Sequence, residues 1–271
     1  MKKFFSAKKH LGQNFLVDPK VREKIILACD LKPGDIVLEI GPGRGFLTKA
    51  IAPLVKKVIA VETDYELAGE LNQIFKDTNV AIIKHDILKY SFSDLPEDIK
   101  IIGNLPYNIA TAIIEKVVLE YRHLNCFYMT IQREHAQRLL AKPHSKEYGS
   151  FTCFVQYYAR VEKFFDIKNT AFRPIPKVRS SFISLQPHRQ TKYKTENEEL
   201  LFKIIRQAFL HRRKTLPNTL ANLIKKEDMA KILEKIGISP RLRPENLSLE
   251  DFIKLAESMG VISHPSLEKY D

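Results

Sequence analysis

The sequence predicts an α/β fold: a Rossmann-like sheet covered by helices, followed by a small all-helical C-terminal domain. Three observations carry this. Short β-branched runs alternate with helical stretches through residues 1–190, the pattern of parallel strands joined by crossover helices. The first clear run ends in a glycine-rich turn, as ligand-binding strands of such sheets do. Beyond residue 190 no strand pattern recurs, while apolar residues fall at helical spacing.

The expected strands are Ile36–Ile40, Val58–Val61, Val80–Ile83, Ile99–Ile102, Cys126–Ile131 and Val178–Leu185. Most are rich in Ile and Val, whose branched β-carbons suit a pleated surface. Helices are expected between them, among them Glu66–Phe75, with Asp64 as N-cap, and Thr111–Tyr121. Phe164 and Phe165 read as core residues. The polar, proline-marked segment 186–194 reads as a linker between domains 1–190 and 191–271. In the second domain Leu201, Ile204, Ile205, Ala208 and Phe209 share one helix face. Ser248-Leu249-Glu250-Asp251 reads as a capping box, and Gly260 as the stop of the last helix.

Composition narrows the function. A chain of 271 residues with 44% apolar side chains suits one large and one small core. No stretch approaches the roughly 18 continuous apolar residues of a membrane span. The basic N-terminus lacks the apolar segment of a secretory signal. Cys29, Cys126 and Cys153 are odd in number and far apart, so a reducing, cytoplasmic setting is expected rather than a disulfide framework. The eight histidines show no ligand spacing, and no metal is expected. Forty-four Lys and Arg against 32 Asp and Glu leave +12. That surplus favours a polyanionic partner, nucleic acid before an anionic membrane surface, although solubility alone can account for it. Lys2, Lys3, Lys8 and Lys9, with no acid before Asp18, are a solvated tail or an RNA contact. Arg212, Arg213 and Lys214, after the first helix of the second domain, either grip phosphates or cap that helix.

The segment from Ile36 to Gly45 runs from an apolar strand into a tight turn, with a helix expected near Phe46. Gly41 and Gly43 remove side chains that would block a ligand lying on the turn. The spacing is G-x-G-x-G, not the G-x-G-x-x-G of dinucleotide sites. Glu62 ends the second strand about 20 residues on, where a carboxylate can accept both hydroxyls of a ribose. Asp86 ends the third, where an acid can accept from an adenine amino group. Each alone is also an ordinary loop acid. Together they place ligand groups at the carboxyl ends of neighbouring strands. The set suits an adenosine without phosphates, which points to S-adenosylmethionine.

Gly103-Asn104-Leu105-Pro106-Tyr107 follows the fourth strand. The N6 lone pair of adenine is delocalised into the ring and is a poor nucleophile. The Asn104 side-chain oxygen and the Leu105 carbonyl can accept both N6–H bonds, freeing that lone pair for a sulfonium methyl. Pro106 fixes the loop in advance, and Tyr107 offers a face on which an extruded base can stack. The bland alternative is a proline turn with an aromatic anchor.

With these motifs in order, the chain resembles the KsgA/RsmA family of ribosomal RNA adenine N6,N6-dimethyltransferases, which is related to the Erm resistance methylases. The resemblance is nearly full length. It runs through Lys9–Leu16, Glu39–Gly43, Gly103–Asn108, Ala171–Val178, His211–Leu216 and Arg243–Ser248. It implies a methyltransferase sheet with a helical RNA-binding domain. It implies that Asn14, Leu16, Gly41, Glu62, Asp86 and Asn104 contact S-adenosylmethionine, and that Phe172 stacks on the target adenine opposite Tyr107. The implied reaction dimethylates two adjacent adenines in a hairpin near the 3′ end of small-subunit (16S) ribosomal RNA and releases S-adenosylhomocysteine. The implied setting is a cytoplasmic monomer acting on a pre-30S particle in small-subunit biogenesis. Pro244 departs from the pattern, which carries a small residue there. Asn-Leu-Pro-Tyr and the extended helical domain favour this family over the Erm branch. Two rivals stay open: an assembly factor that binds immature ribosomal RNA without catalysis, and methylation of large-subunit RNA.

Overall fold

The computed structural model describes Lys8 and residues 11–93, 95–121, 123–188, 193 and 195–263. Lys2, Lys3, Lys9 and much of the expected linker lie outside them. The chain forms two compact units.

The first unit, Met1–Ala136 with Ala159–Pro187, is built on a sheet. Along the chain come β1 (Phe15–Leu16), α1 (Pro19–Ala28), β2 (Ile36–Ile40), α2 (Thr48–Ile51), β3 (Lys57–Glu62), α3 (Tyr65–Ile74) and β4 (Val80–Lys84). They are followed by β5 (Lys100–Asn104), α4 (Ala110–Glu120), β6 (Cys126–Gln132) and α5 (Arg133–Leu139). After α6 (Ser150–Tyr158) come β7 (Ala159–Ile167), β8 (Phe172–Arg173) and β9 (Ser180–Pro187). Seven strands take the order β4-β3-β2-β5-β6-β9-β7, while β1 and β8 form a separate pair. The run from β4 to β6 is parallel; β9 and β7 are antiparallel. Winding reverses between β2 and β5, the switch point at which open α/β sheets bind ligands.

All six expected strands are present within a few residues of their expected bounds. The inner ones are apolar because helices cover both faces of a parallel sheet. β7 was not expected. It is an edge strand whose Arg160, Glu162, Lys163 and Asp166 are exposed, so its composition carries no apolar run. An irregularity between Lys163 and Phe165 shifts the alternation. Phe165 packs on the core, its ring centroid 5.4 Å from that of Phe182, while Phe164 stays 38% exposed. Asp64 caps α3 as expected, accepting from the Glu66 N–H at 3.1 Å.

The second unit joins Gln137–Tyr158 to His188–Asp271. Besides α6 it holds α7 (Glu198–Leu210), α8 (Leu216–Thr219), α9 (Lys226–Lys235) and α10 (Leu249–Ser263), with no strand among its described residues. Leu201, Ile204, Ile205 and Ala208 of α7 are buried in one core with Cys153 and Tyr157 of α6. Tyr157 and Tyr158 also donate to the Glu198 carboxylate, at 3.2 and 2.8 Å. An apolar helix face must find a partner, which is why this mid-chain segment clusters with the C-terminal helices. The expected capping box is present: Ser248 N–H donates to Asp251 Oδ2 at 2.9 Å, and Asp251 N–H to Ser248 Oγ at 3.1 Å. Gly260 corrects the sequence reading. It lies inside α10, which continues to Ser263. A glycine ends a helix by turning left-handed, and Gly260 is not among the glycines with positive φ.

Candidate active site

The site forms where β2, β3, β4 and β5 end. After β2 the backbone turns left-handed at Gly41 (φ 67°) and Gly43 (φ 58°), a conformation that disfavours any side chain. A β-carbon on Gly43 would also lie 2.9 Å from the Phe15 ring. The bare turn borders a cavity that is partly open to solvent. Asn14, Gly41, Gly43, Glu62, Asp86, Asn104, Leu105, Pro106 and Tyr107 all line it.

Glu62 is 5% exposed. Its Oε2 accepts from Gly43 N–H at 3.0 Å and its Oε1 from Asp64 N–H at 2.9 Å. A carboxylate has about four acceptor positions; the Gly43, Asp64 and Thr63 amides engage this one, which leaves acceptor capacity for a ligand hydroxyl. Burial raises its pKa, and the Asp64 and Gly43 amides pull against that rise. Asp86, on the cavity wall, accepts from Leu88 N–H through Oδ1 at 2.9 Å.

Asn104 is oriented by its surroundings. Its Nδ2 donates to the Asn14 carbonyl at 2.8 Å, so Oδ1 remains as the acceptor. Tyr107 is half-buried, and its hydroxyl lies 2.6 Å from Ser180 Oγ, which fixes the ring.

Several participants were not anticipated. Leu11, Gly12, Gln13 and Phe15 join Asn14 in a strap along the cavity. Gln13 Nε2 donates to Asp64 Oδ2 at 2.9 Å. Lys8 Nζ lies 2.9 Å from Asp64 Oδ1 and 2.9 Å from Glu66 Oε2. Lys8, read as solvated or RNA-facing, is thus engaged by acids of its own chain. Glu39 in β2 is also unforeseen. It is buried, and its Oε2 has no hydrogen-bond partner. Burial pushes its carboxyl up to about 7, against the pull of Thr48 and with a contribution from the charge of Glu62. An acid inside the run Ile-Val-Leu-Glu-Ile was the available signal.

Three further expected site residues are placed as follows. Phe172 does not face the cavity: it is fully buried in a cluster with Leu16, Ala171 and Phe182. Its strand pairs with β1 in the register Leu16↔Phe172, so it anchors the strap. Leu16 is 5% exposed and borders a neighbouring cavity, with Glu39, Gly41, Gly43 and Asn104. In the second unit Arg212 is engaged: Nε lies 3.0 Å and Nη2 2.5 Å from Glu245 Oε2, and Nη1 donates to Lys146 O at 2.8 Å. Arg213 and Lys214 stay exposed.

Among the described residues no group of three or more His, Cys, Asp or Glu could hold a metal, and no helix is long and apolar enough to cross a membrane. The cysteines are free and buried.

A doubly wound sheet, a glycine turn with Glu62 and Asp86 beside it, and Asn-Leu-Pro-Tyr at its rim define an S-adenosylmethionine-dependent methyltransferase. The chain matches the ribosomal RNA adenine dimethylase family over residues 4–260 and belongs to it. It is 41% identical over 258 residues to the ribosomal RNA small subunit methyltransferase A of Clostridium botulinum (strain Loch Maree / Type A3), covering 93% of this chain and 94% of that protein. To the protein of that name from Wigglesworthia glossinidia brevipalpis it is 40% identical, covering 93% and 97%. A dimethyladenosine transferase from Plasmodium falciparum superposes with a TM-score of 0.78 at 28% identity, covering 89% and 95%. The 23S rRNA methyltransferase ErmE shares the fold, with a TM-score of 0.72 at 23% identity, covering 91% and 100%.

Proposed function

We propose that this enzyme dimethylates N6 of two adjacent adenines in a hairpin near the 3′ end of small-subunit ribosomal RNA, in the cytoplasm, as a monomer acting on a pre-30S particle. The observation that carries the chemistry is the Asn104 amide, held by Asn14 so that its oxygen is the free acceptor. S-adenosylmethionine supplies a methyl group on a sulfonium and leaves as S-adenosylhomocysteine.

Each residue then has a task. Glu62 takes the ribose hydroxyls with its remaining acceptor capacity, and Asp86 takes the adenine amino group of the cofactor. Gly41 and Gly43 keep the turn bare so that the methyl donor lies against backbone. Asn14, through its own position and its grip on Asn104, links cofactor site and reaction site. Asn104 Oδ1 and the Leu105 carbonyl accept the two N6–H bonds of the target adenine, drawing the nitrogen toward sp³ and aiming its lone pair outward. Tyr107, latched to Ser180, stacks under the base. The N6 proton released on methylation passes to water, since a cationic methylated nitrogen is a strong acid. The 41% and 40% identical relatives named for small-subunit methylation support that target over the large subunit.

Mass spectrometry of ribosomal RNA from a strain lacking this chain tests the proposal. N6,N6-dimethyladenosine should vanish from small-subunit RNA and return on complementation. Unchanged small-subunit RNA, or a loss confined to large-subunit RNA, would contradict it.

A further inference from the structure

Residues 167–195 contain Lys168, Arg173, Lys177, Arg179, Arg189, Lys192 and Lys194, and no Asp or Glu. The part between β7 and β9 is a surface segment. Lys168, Arg173, Lys177 and Arg179 are exposed there, with Ile175 53% exposed among them. None of the four cations has an ion-pair partner among the described residues. Arg173 steadies the segment through Nη1, which donates to Thr170 O at 3.0 Å and Phe172 O at 2.8 Å. The nearest preceding acid, Asp166, is already taken by Lys163 at 2.8 Å and by the Ser181 hydroxyl at 2.6 Å.

A run of cations is usually a solvated face; placement argues otherwise for this one. Ser180, next to Arg179, holds the Tyr107 hydroxyl at 2.6 Å. Successive Cα atoms are about 3.8 Å apart, so the Arg179 backbone lies beside the ring that carries the base. At the other end Arg173 pairs with Phe15, whose side chain lines the cofactor cavity. The segment is therefore tied to the site at both ends. A base turned out of its stack stays attached to its own phosphates, which must pass near the mouth of the pocket. Phosphates are positioned by cations free of competing acids.

We propose that the segment 168–179 holds the RNA backbone flanking the target adenine, with Lys168, Lys177 and Arg179 on phosphates and Ile175 against the neighbouring base. This rests on the methyl-transfer reading and adds to it where the substrate lies. The expected cluster in the helical unit is weaker for this task, because Arg212 is already ion-paired.

The test compares wild type with the Lys168→Ala/Lys177→Ala/Arg179→Ala variant in binding a transcript of the 3′ domain of small-subunit ribosomal RNA over a salt series. Each single-strand phosphate contact contributes about 0.7 to the log–log salt slope, so the slope should fall by about 2, with S-adenosylmethionine affinity unchanged. A wild-type slope in a variant that still binds S-adenosylmethionine overturns the inference. A second measurement uses wild-type protein and the same transcript carrying 4-thiouridine beside the target adenine. Crosslinks on peptides from 168–179 support the inference, and crosslinks confined to other segments overturn it. Methyl transfer to the same transcript is scored separately. If wild type forms dimethyladenosine while slope and crosslinks fail, only the placement of the RNA falls.

Discussion

Glu39 gives the structure a pH dependence that can be worked out in advance. The side chain is 2% exposed, and burial lifts its carboxyl from the ordinary 4.5 to about 7. Between those values the folded protein keeps a proton that the unfolded chain has released. Stability therefore falls as pH rises through that window and is level above it. Each pKa unit is worth 1.36 kcal/mol, so the whole loss is roughly 3 kcal/mol. Glu39→Gln keeps the size and removes the titration. The variant should match wild type near pH 4.5 and exceed it by roughly 3 kcal/mol at pH 8. The chain has no tryptophan, so urea unfolding followed by far-UV circular dichroism at pH 5, 6, 7 and 8 is the suitable assay. A stability difference that stays constant across this range would refute the reasoning, since it would place the proton in neither state or in both.

Other perturbations address the cofactor cavity. Glu62→Ala should weaken S-adenosylmethionine by roughly 1–3 kcal/mol, the loss of hydrogen bonds to a charged acceptor; calorimetry on a folded variant showing unchanged affinity would remove Glu62 from the ribose. Lys8→Ala loosens the strap at Asp64. The ion pair faces solvent and is screened, so the effect should be small: a few-fold rise in KM for S-adenosylmethionine at unchanged kcat, with a fall in kcat as the contrary result.

Much of this was legible because burial writes itself into composition. β2, β3 and β5 sit inside the sheet and are rich in Ile and Val; β7, on the edge, mixes charge with aromatic residues and gives no period. Glu62, Asp86 and Asn104 could be found because each ends a recognisable strand, and in an open sheet strand ends share one rim. The strap could not be derived by period, for Lys-His-Leu-Gly-Gln-Asn-Phe-Leu has neither helical nor strand spacing; only its motif marked it. The partners of Phe172 and Arg212 escaped the sequence for a common reason. Residue type tells what a side chain can do, while its partner decides what it does. Phe172 is packed against Leu16, and Glu245 lies 33 positions from Arg212. Such long-range pairings leave no local trace.

The central claim is that Asn104 activates the adenine nitrogen. Purified wild type and Asn104→Ala, given S-adenosylmethionine and small-subunit ribosomal RNA, can be compared by mass spectrometry of the digested RNA. Removing one preorganised polar group costs about 100-fold or more in rate. The variant should therefore form N6,N6-dimethyladenosine at least about 100-fold more slowly, while RNA affinity and its salt dependence stay at the wild-type value. Dimethyladenosine formed at near wild-type rate by the variant would contradict the account.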